Sequence, residues 1–116
     1  MPNFSKQVLD GSTDGRPILV VATATPGTLI HTAQADAANE DEIWLWAMNS
    51  DPASLKLTLE FGGVTDPDDL IEQLILGEDG LHLICPGLSL RNALLVRAFA
   101  ETTNLLTIVG FVNRIS

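Results

Sequence analysis

An all-β fold is predicted for this chain, an antiparallel β-sandwich of jelly-roll kind with about eight short strands. Three features of the sequence predict it. Residues 54–61 alternate: Leu55, Leu57, Leu59 and Phe61 point one way, and Ser54, Lys56, Thr58 and Glu60 the other. Period two is the pattern of a strand with one face in a core and one in solvent. Turn chemistry recurs along the chain, at Pro26-Gly27, Asp51-Pro52, Gly62-Gly63, Gly77 to Gly80 and Pro86-Gly87, which divides it into short strands. The strands do not alternate with long helical segments, as a parallel α/β sheet requires.

Taken in order, residues 1–16 read as an N-terminal arm and residues 17–116 as the sandwich domain. The arm is polar, with Phe4, Val8 and Leu9 as its few apolar side chains and two Asp-Gly steps. It either docks Phe4 and Leu9, on its own barrel or on a neighbour, or frays. A first strand is expected from Ile18 to Thr25 and a second from Thr28 to about Ala33. An alanine-rich, acidic loop or short helical turn (33–41) leads to a strand from Glu42 to Asn49. After the strand at 54–61, Asp66-Pro67 with Asp68 and Asp69 starts a helical turn. A hairpin follows, with strands from about Leu70 to Leu76 and from Leu81 to Cys85. Pro86-Gly87 is expected to break the chain before strands from Leu94 to Ala100 and Leu105 to Arg114.

The chain has 116 residues, about one domain, with 46% hydrophobic and 18% charged residues. That balance excludes a disordered polar chain. No apolar run approaches the roughly 18 residues of a membrane span. The N-terminus lacks the apolar core of a signal peptide, so synthesis in the cytoplasm is expected. Net charge is −9, with only six bases, scattered along the chain. No basic stripe is present to displace counterions from phosphates, so neither nucleic acid nor an anionic membrane surface is an expected partner.

Apolar surface exceeds what one sandwich core needs. Between Glu42 and Asn49, Ile43, Leu45 and Ala47 share one face while Trp44, Trp46 and Met48 share the other. The last strand repeats the pattern, with Leu105, Val109 and Phe111 opposite Leu106, Ile108 and Val112. An antiparallel strand ordinarily has one polar face. Either loops and the arm cover the second apolar face, or a neighbouring subunit does, and tryptophan and phenylalanine favour such contacts. A homo-oligomer is the expectation drawn here, with Phe4, Leu9, Trp44, Trp46 and Met48 as candidate interface residues.

The search for chemistry finds no catalytic set, and the protein is not expected to be an enzyme. His31 and His82 lie far apart in sequence and match no His-x-His metal motif, and no Gly-x-Ser-x-Gly elbow or phosphate-binding loop occurs. The single Cys85, in an apolar strand, reads as a buried inert thiol and excludes an internal disulfide. Asp10 to Gly15 has the opening rhythm of a calcium loop, but its twelfth position is Val21, where a bidentate glutamate belongs. Turns built on the Asp-Gly steps account for it instead. The group Asp66, Asp68 and Asp69 reads as a cap on a helical turn rather than as paired carboxylates. No metal and no cofactor are expected.

The segments Ser12-Thr13-Asp14-Gly15-Arg16-Pro17-Ile18, Ala24 to Ala33 and Glu60-Phe61-Gly62-Gly63, with the ending Gly110-Phe111-Val112-Asn113-Arg114-Ile115, resemble short virion proteins of tailed bacteriophages. The likeness runs over nearly the whole chain and is strongest to the small β-sandwich cement, or decoration, proteins. It implies a structural protein of the virion that sits on the capsid surface and binds the major capsid protein at joints between its subunits, often as a homotrimer. No catalytic residue is carried over. The N-terminal stretch Pro2 to Leu9 would then touch the capsid. Other readings remain open: a head-to-tail connector, a tail or fibre component, or a small carbohydrate- or calcium-binding β-module.

Overall fold

Alternation along the chain is realised in nine strands among residues 3–116, the part that the computed structural model describes. They are β1 (Phe4–Val8), β2 (Ile18–Leu19), β3 (Thr28–Thr32), β4 (Glu40–Asn49), β5 (Leu55–Phe61), β6 (Leu70–Ile75), β7 (His82–Leu90), β8 (Leu95–Ala100) and β9 (Leu106–Ile115). They form two antiparallel sheets. Sheet A runs β1-β9-β4-β7, with β2 also paired to β9, and sheet B runs β3-β8-β5-β6. The sheets pack face to face as a β-sandwich, and one cluster joins Ile43, Leu45 and Ile108 of sheet A to Leu57, Leu59 and Val96 of sheet B. Each fully buried aliphatic side chain contributes about 1.5–3 kcal/mol over its exposed state.

The long strands β4 and β9 are fully aligned, from Glu40 opposite Ile115 to Asn49 opposite Leu106. Gly110 makes their close approach possible. A Cβ at that position would sit 2.0 Å from the Trp44 carbonyl oxygen, so any larger residue would push the two strands apart.

Several sequence expectations are corrected. The first sandwich strand, expected from Ile18 to Thr25, pairs only over Ile18–Leu19. Beyond it the chain crosses between sheets: Val20 N–H donates to Leu106 O, whereas the Ala22 carbonyl accepts from Ala100 N–H of β8. Pro86-Gly87 does not end a strand. It lies within β7, where the register against β4 shifts twice. An edge strand tolerates proline because one side of its backbone has no ladder partner. The polar side of β5 is not wholly in solvent either: Lys56 is exposed, but Thr58 and Glu60 are buried. The β2–β3 loop closes over Glu60, whose carboxylate accepts from the Thr25 hydroxyl and from Gly27 N–H at 2.6 Å.

Of the sixteen residues expected as an arm, Met1 and Pro2 lie outside the described residues. Phe4–Val8 form β1, hydrogen-bonded to β9 as part of sheet A. Leu9 is 1% exposed and belongs to the chain's own core. Its backbone carbonyl then anchors the following turn through Ser12 N–H and the Ser12 hydroxyl.

Candidate interaction face

The outer face of sheet A follows from register, because residues directly opposite one another in an antiparallel ladder share a face. One row across the sheet is Lys6, Asn113, Glu42 and Ser89. The next is Val8, Phe111, Trp44 and Pro86, and a third contains Val109, Trp46 and Leu83. A polar row therefore borders two apolar rows. Trp44, Trp46, Met48, Val109 and Phe111 are half-buried, while Val8 and Leu83 are exposed.

At the centre, three rings pack with nearly parallel planes. Trp44 and Trp46 have centroids 6.3 Å apart, Trp44 and Phe111 6.4 Å, and Trp46 and Phe111 6.1 Å, with interplanar angles of 16–29°. Such pairs add about 0.5–1.5 kcal/mol each beyond their buried area. The cluster is held at its edges. Trp44 Nε1–H donates to Glu42 Oε1 at 2.8 Å, and Asn113 Nδ2 donates to the same oxygen at 3.2 Å. Those bonds hold the Glu42 carboxyl below its ordinary range, outweighing the small opposing effect of burial. Lys6 Nζ lies 4.3 Å from the Phe111 ring centroid, a cation–π contact. Gly87, at φ +76°, lies beneath the Trp44 indole, where a Cβ would approach a ring carbon to 2.8 Å.

The described loops leave this face open, and its rings fix one another in place. Of the five residues predicted for an interface, Trp44, Trp46 and Met48 lie together on it. Phe4 lies at its border, opposite Ile115 and 70% exposed. Leu9 does not, because its side chain is consumed by the core. Sequence reasoning placed Phe111 on an apolar face but did not bring it to the tryptophans. That contact depends on the β4–β9 register, which no local pattern specifies.

The remaining candidates for chemistry are structural in their contacts. His31 is buried and bonded on both nitrogens: Asp10 N–H donates to Nδ1 at 3.2 Å, so Nε2 carries the proton it gives to Asp41 Oδ2 at 2.7 Å. Arg114 completes the set, with Nε and Nη2 each 2.9 Å from an Asp41 oxygen. This network ties the first turn, β3, β4 and β9 together across both sheets. Burial pushes the Asp41 carboxyl up, but hydrogen bonds from Arg114 and His31, with the charge of Arg114, outweigh it and hold the carboxyl below its usual 3.8. His82 lies opposite Ala47, six residues further along β4 than Asp41, a separation of about 20 Å. The two histidines therefore do not converge.

In the Asp10–Gly15 segment, Asp10 Oδ2 accepts from Thr32 N–H. Asp69 Oδ2 accepts from Thr65 N–H in the turn before β6. A cleft of about 290 Å³ opens near the Gly62–Val64 and Ala93–Leu95 turns, but Glu60, its buried acid, has both oxygens already bonded. Cys85 is fully buried and donates its S–H to the Ile43 carbonyl at 3.2 Å. Burial pushes its thiol up, against a weaker opposing hydrogen bond from the backbone at Leu88. The folded protein is accordingly expected not to react with a thiol reagent at pH 8, whereas the urea-unfolded chain reacts fully. Labelling before unfolding would contradict the packing.

No family model, curated protein or solved structure matches this chain.

Proposed function

We propose that this chain is a structural protein of a bacteriophage virion, a capsid decoration protein that works by burying the outer face of sheet A against a neighbouring subunit. The observation that carries the reading is the Trp44–Trp46–Phe111 cluster, held on an open sheet face by Glu42, Gly87 and Lys6. Large pre-positioned rings bury much area at little entropic cost, which is the chemistry of an assembly contact. The polar row of Lys6, Asn113 and Glu42 supplies a rim beside it.

The strand order supports the same reading. Sheets of order β2-β9-β4-β7 and β3-β8-β5-β6 correspond, in our reading, to a jelly roll, with β1 as an added strand. That architecture is used by viral capsid proteins and lectins among others, and it bears on function only as an analogy. The resemblance of the chain to phage cement proteins adds the virion and the major capsid protein as partner.

In this role the protein does no chemistry. It binds a surface that exists only on the assembled shell and stabilises that state by mass action. Many copies in fixed geometry turn modest contacts into firm retention. The test is the solution mass by light scattering after size exclusion. The expected result is a trimer, near three times 12.4 kDa. A monomer at every concentration would remove the self-association on which the proposal depends, and a ring of six or twelve copies would indicate a connector.

A further inference from the structure

Five strands have a side without a ladder partner, β1, the two-residue β2, β3, β6 and β7, and the edges of β3 and β7 are closed. On β3, the Ile30 carbonyl accepts from Gly11 N–H at 2.9 Å and Thr32 N–H donates to Asp10 Oδ2 at 3.1 Å, so the first turn occupies that edge. On β7, Pro86 has no N–H and two register shifts bend the strand. Bulges and proline are ordinary ways of making an edge unable to pair.

Among the described residues the longer edges of β1 and β6 have no such cover, and the alternation of the ladder fixes the direction of their free backbone groups. Asn3 and Ser116 exchange both hydrogen bonds, at 2.6 and 2.9 Å. Hydrogen-bonded pairs recur at every second residue, so Ser5 and Gln7 also face β9, while Phe4, Lys6 and Val8 turn their N–H and C=O groups outward. On β6, Phe61 N–H donates to Asp69 O at 2.8 Å. By the same alternation Ile71, Gln73 and Ile75 face β5, and Leu70, Glu72 and Leu74 face outward. Leu70 offers only its carbonyl, since its N–H turns back to Pro67 O at 3.3 Å.

The open edges complement each other. One presents apolar–Lys–apolar (Phe4, Lys6, Val8) and the other apolar–Glu–apolar (Leu70, Glu72, Leu74), with Glu72 also ion-paired to Lys56 of β5, so that Lys6 would join an exposed charge pair. Both sets of side chains lie on the solvent faces of their sheets. Phe4, Val8 and Leu74 are 70%, 53% and 59% exposed. Pairing β1 with β1 of another copy would instead bring Lys6 against Lys6, which like-charge repulsion disfavours.

We propose that β1 of one copy adds as an antiparallel strand to β6 of a second copy. Lys6 then lies opposite Glu72, Phe4 opposite Leu74 and Val8 opposite Leu70. Backbone bonds supply the affinity, and the charged pair with its apolar flanks sets the register. The contact is heterologous and repeats head to tail, linking copies in a way that the outer face of sheet A does not. It does not rest on the virion reading.

The test mixes Lys6→Cys protein with Glu72→Cys protein under mild oxidation. A disulfide heterodimer near twice 12.4 kDa is expected to predominate over Lys6→Cys and Glu72→Cys homodimers. A statistical mixture of the three dimers, or none, overturns the pairing. As a second readout, Lys6→Glu is expected to raise the concentration for self-association measured by sedimentation about tenfold, and the double variant Lys6→Glu/Glu72→Lys to restore it. Failure of the reversed pair to restore association also overturns the proposal. The heterodimer is expected equally in a Trp46→Asp background, so edge and face are judged separately.

Discussion

Arg114→Ala is expected to destabilise the fold by about 3 kcal/mol at pH 7. Asp41 is fully buried, and Arg114 gives it two hydrogen bonds of 2.9 Å. Removing the guanidinium leaves a buried carboxylate with His31 Nε2–H as its remaining side-chain donor. Removing one partner of a buried pair costs far more than the pair itself contributes, because the stranded charge keeps its desolvation cost. Arg114 is about one-third exposed, which places the effect at the lower end of that class.

The pH dependence follows from the direction of the Asp41 shift. Its carboxyl titrates lower in the folded than in the unfolded chain. The stabilisation is therefore fully present above the unfolded value near 3.8 and is lost as pH falls through the lowered folded value. The gap between wild type and Arg114→Ala should be full at neutral pH and close in strong acid, when both carboxyls are protonated. Urea unfolding at pH 7 and at about pH 2 measures both limits. A gap that stays constant with pH would mean that Arg114 acts through packing alone. Arg114→Lys, a point charge in place of a two-pronged donor, is expected to recover only part of the loss.

Trp46→Asp is expected to break the association made through the outer face of sheet A, lowering the mass of the assembled protein to what the β1–β6 edge contact alone supports at that concentration, while the chain remains folded. Trp46 lies half-buried on the outer face of β4, so in the monomer an aspartate there keeps access to water, and the fold loses the ring contacts with Trp44 and Phe111 and part of the packing on Val109 and Leu83. In the assembly the same aspartate would be buried without a partner, at a cost of several kcal/mol, and a central anchor worth about 2 kcal/mol or more would be gone. Light scattering and circular dichroism on one sample separate the outcomes. An unchanged mass with native ellipticity would show that the face is not the interface, and a polar, wet surface there would favour a ligand-binding role instead.

How much of this was legible beforehand depends on the range of the signal. The β5 alternation, Leu55 to Phe61, is local, and it appears in the structure within one residue of its expected start. The double-sided apolarity of β4 and β9 is also local, and it pointed to an apolar surface beyond the core. The boundaries at Pro86-Gly87 and after Leu19 were misread because proline and glycine report what a residue permits, whereas an edge position or a crossing between sheets decides what it does. For Leu9 the sequence leaves its own barrel and a neighbour both open, because a short polar segment carries no sign of which surface it will meet, and the structure puts the side chain in the chain's own core.

The sequence by itself determined the class of fold and the excess of apolar surface, since both follow from spacings of two residues and from turn residues at fixed points. Only the tertiary structure decided which residues meet: Phe111 beside Trp44 and Trp46, His31 and Arg114 on Asp41, and the open edges β1 and β6. These contacts join positions between 10 and 73 residues apart. The physical reason is that long-range register is fixed by the packing of a whole sheet against its partner, a property that no window along the chain contains.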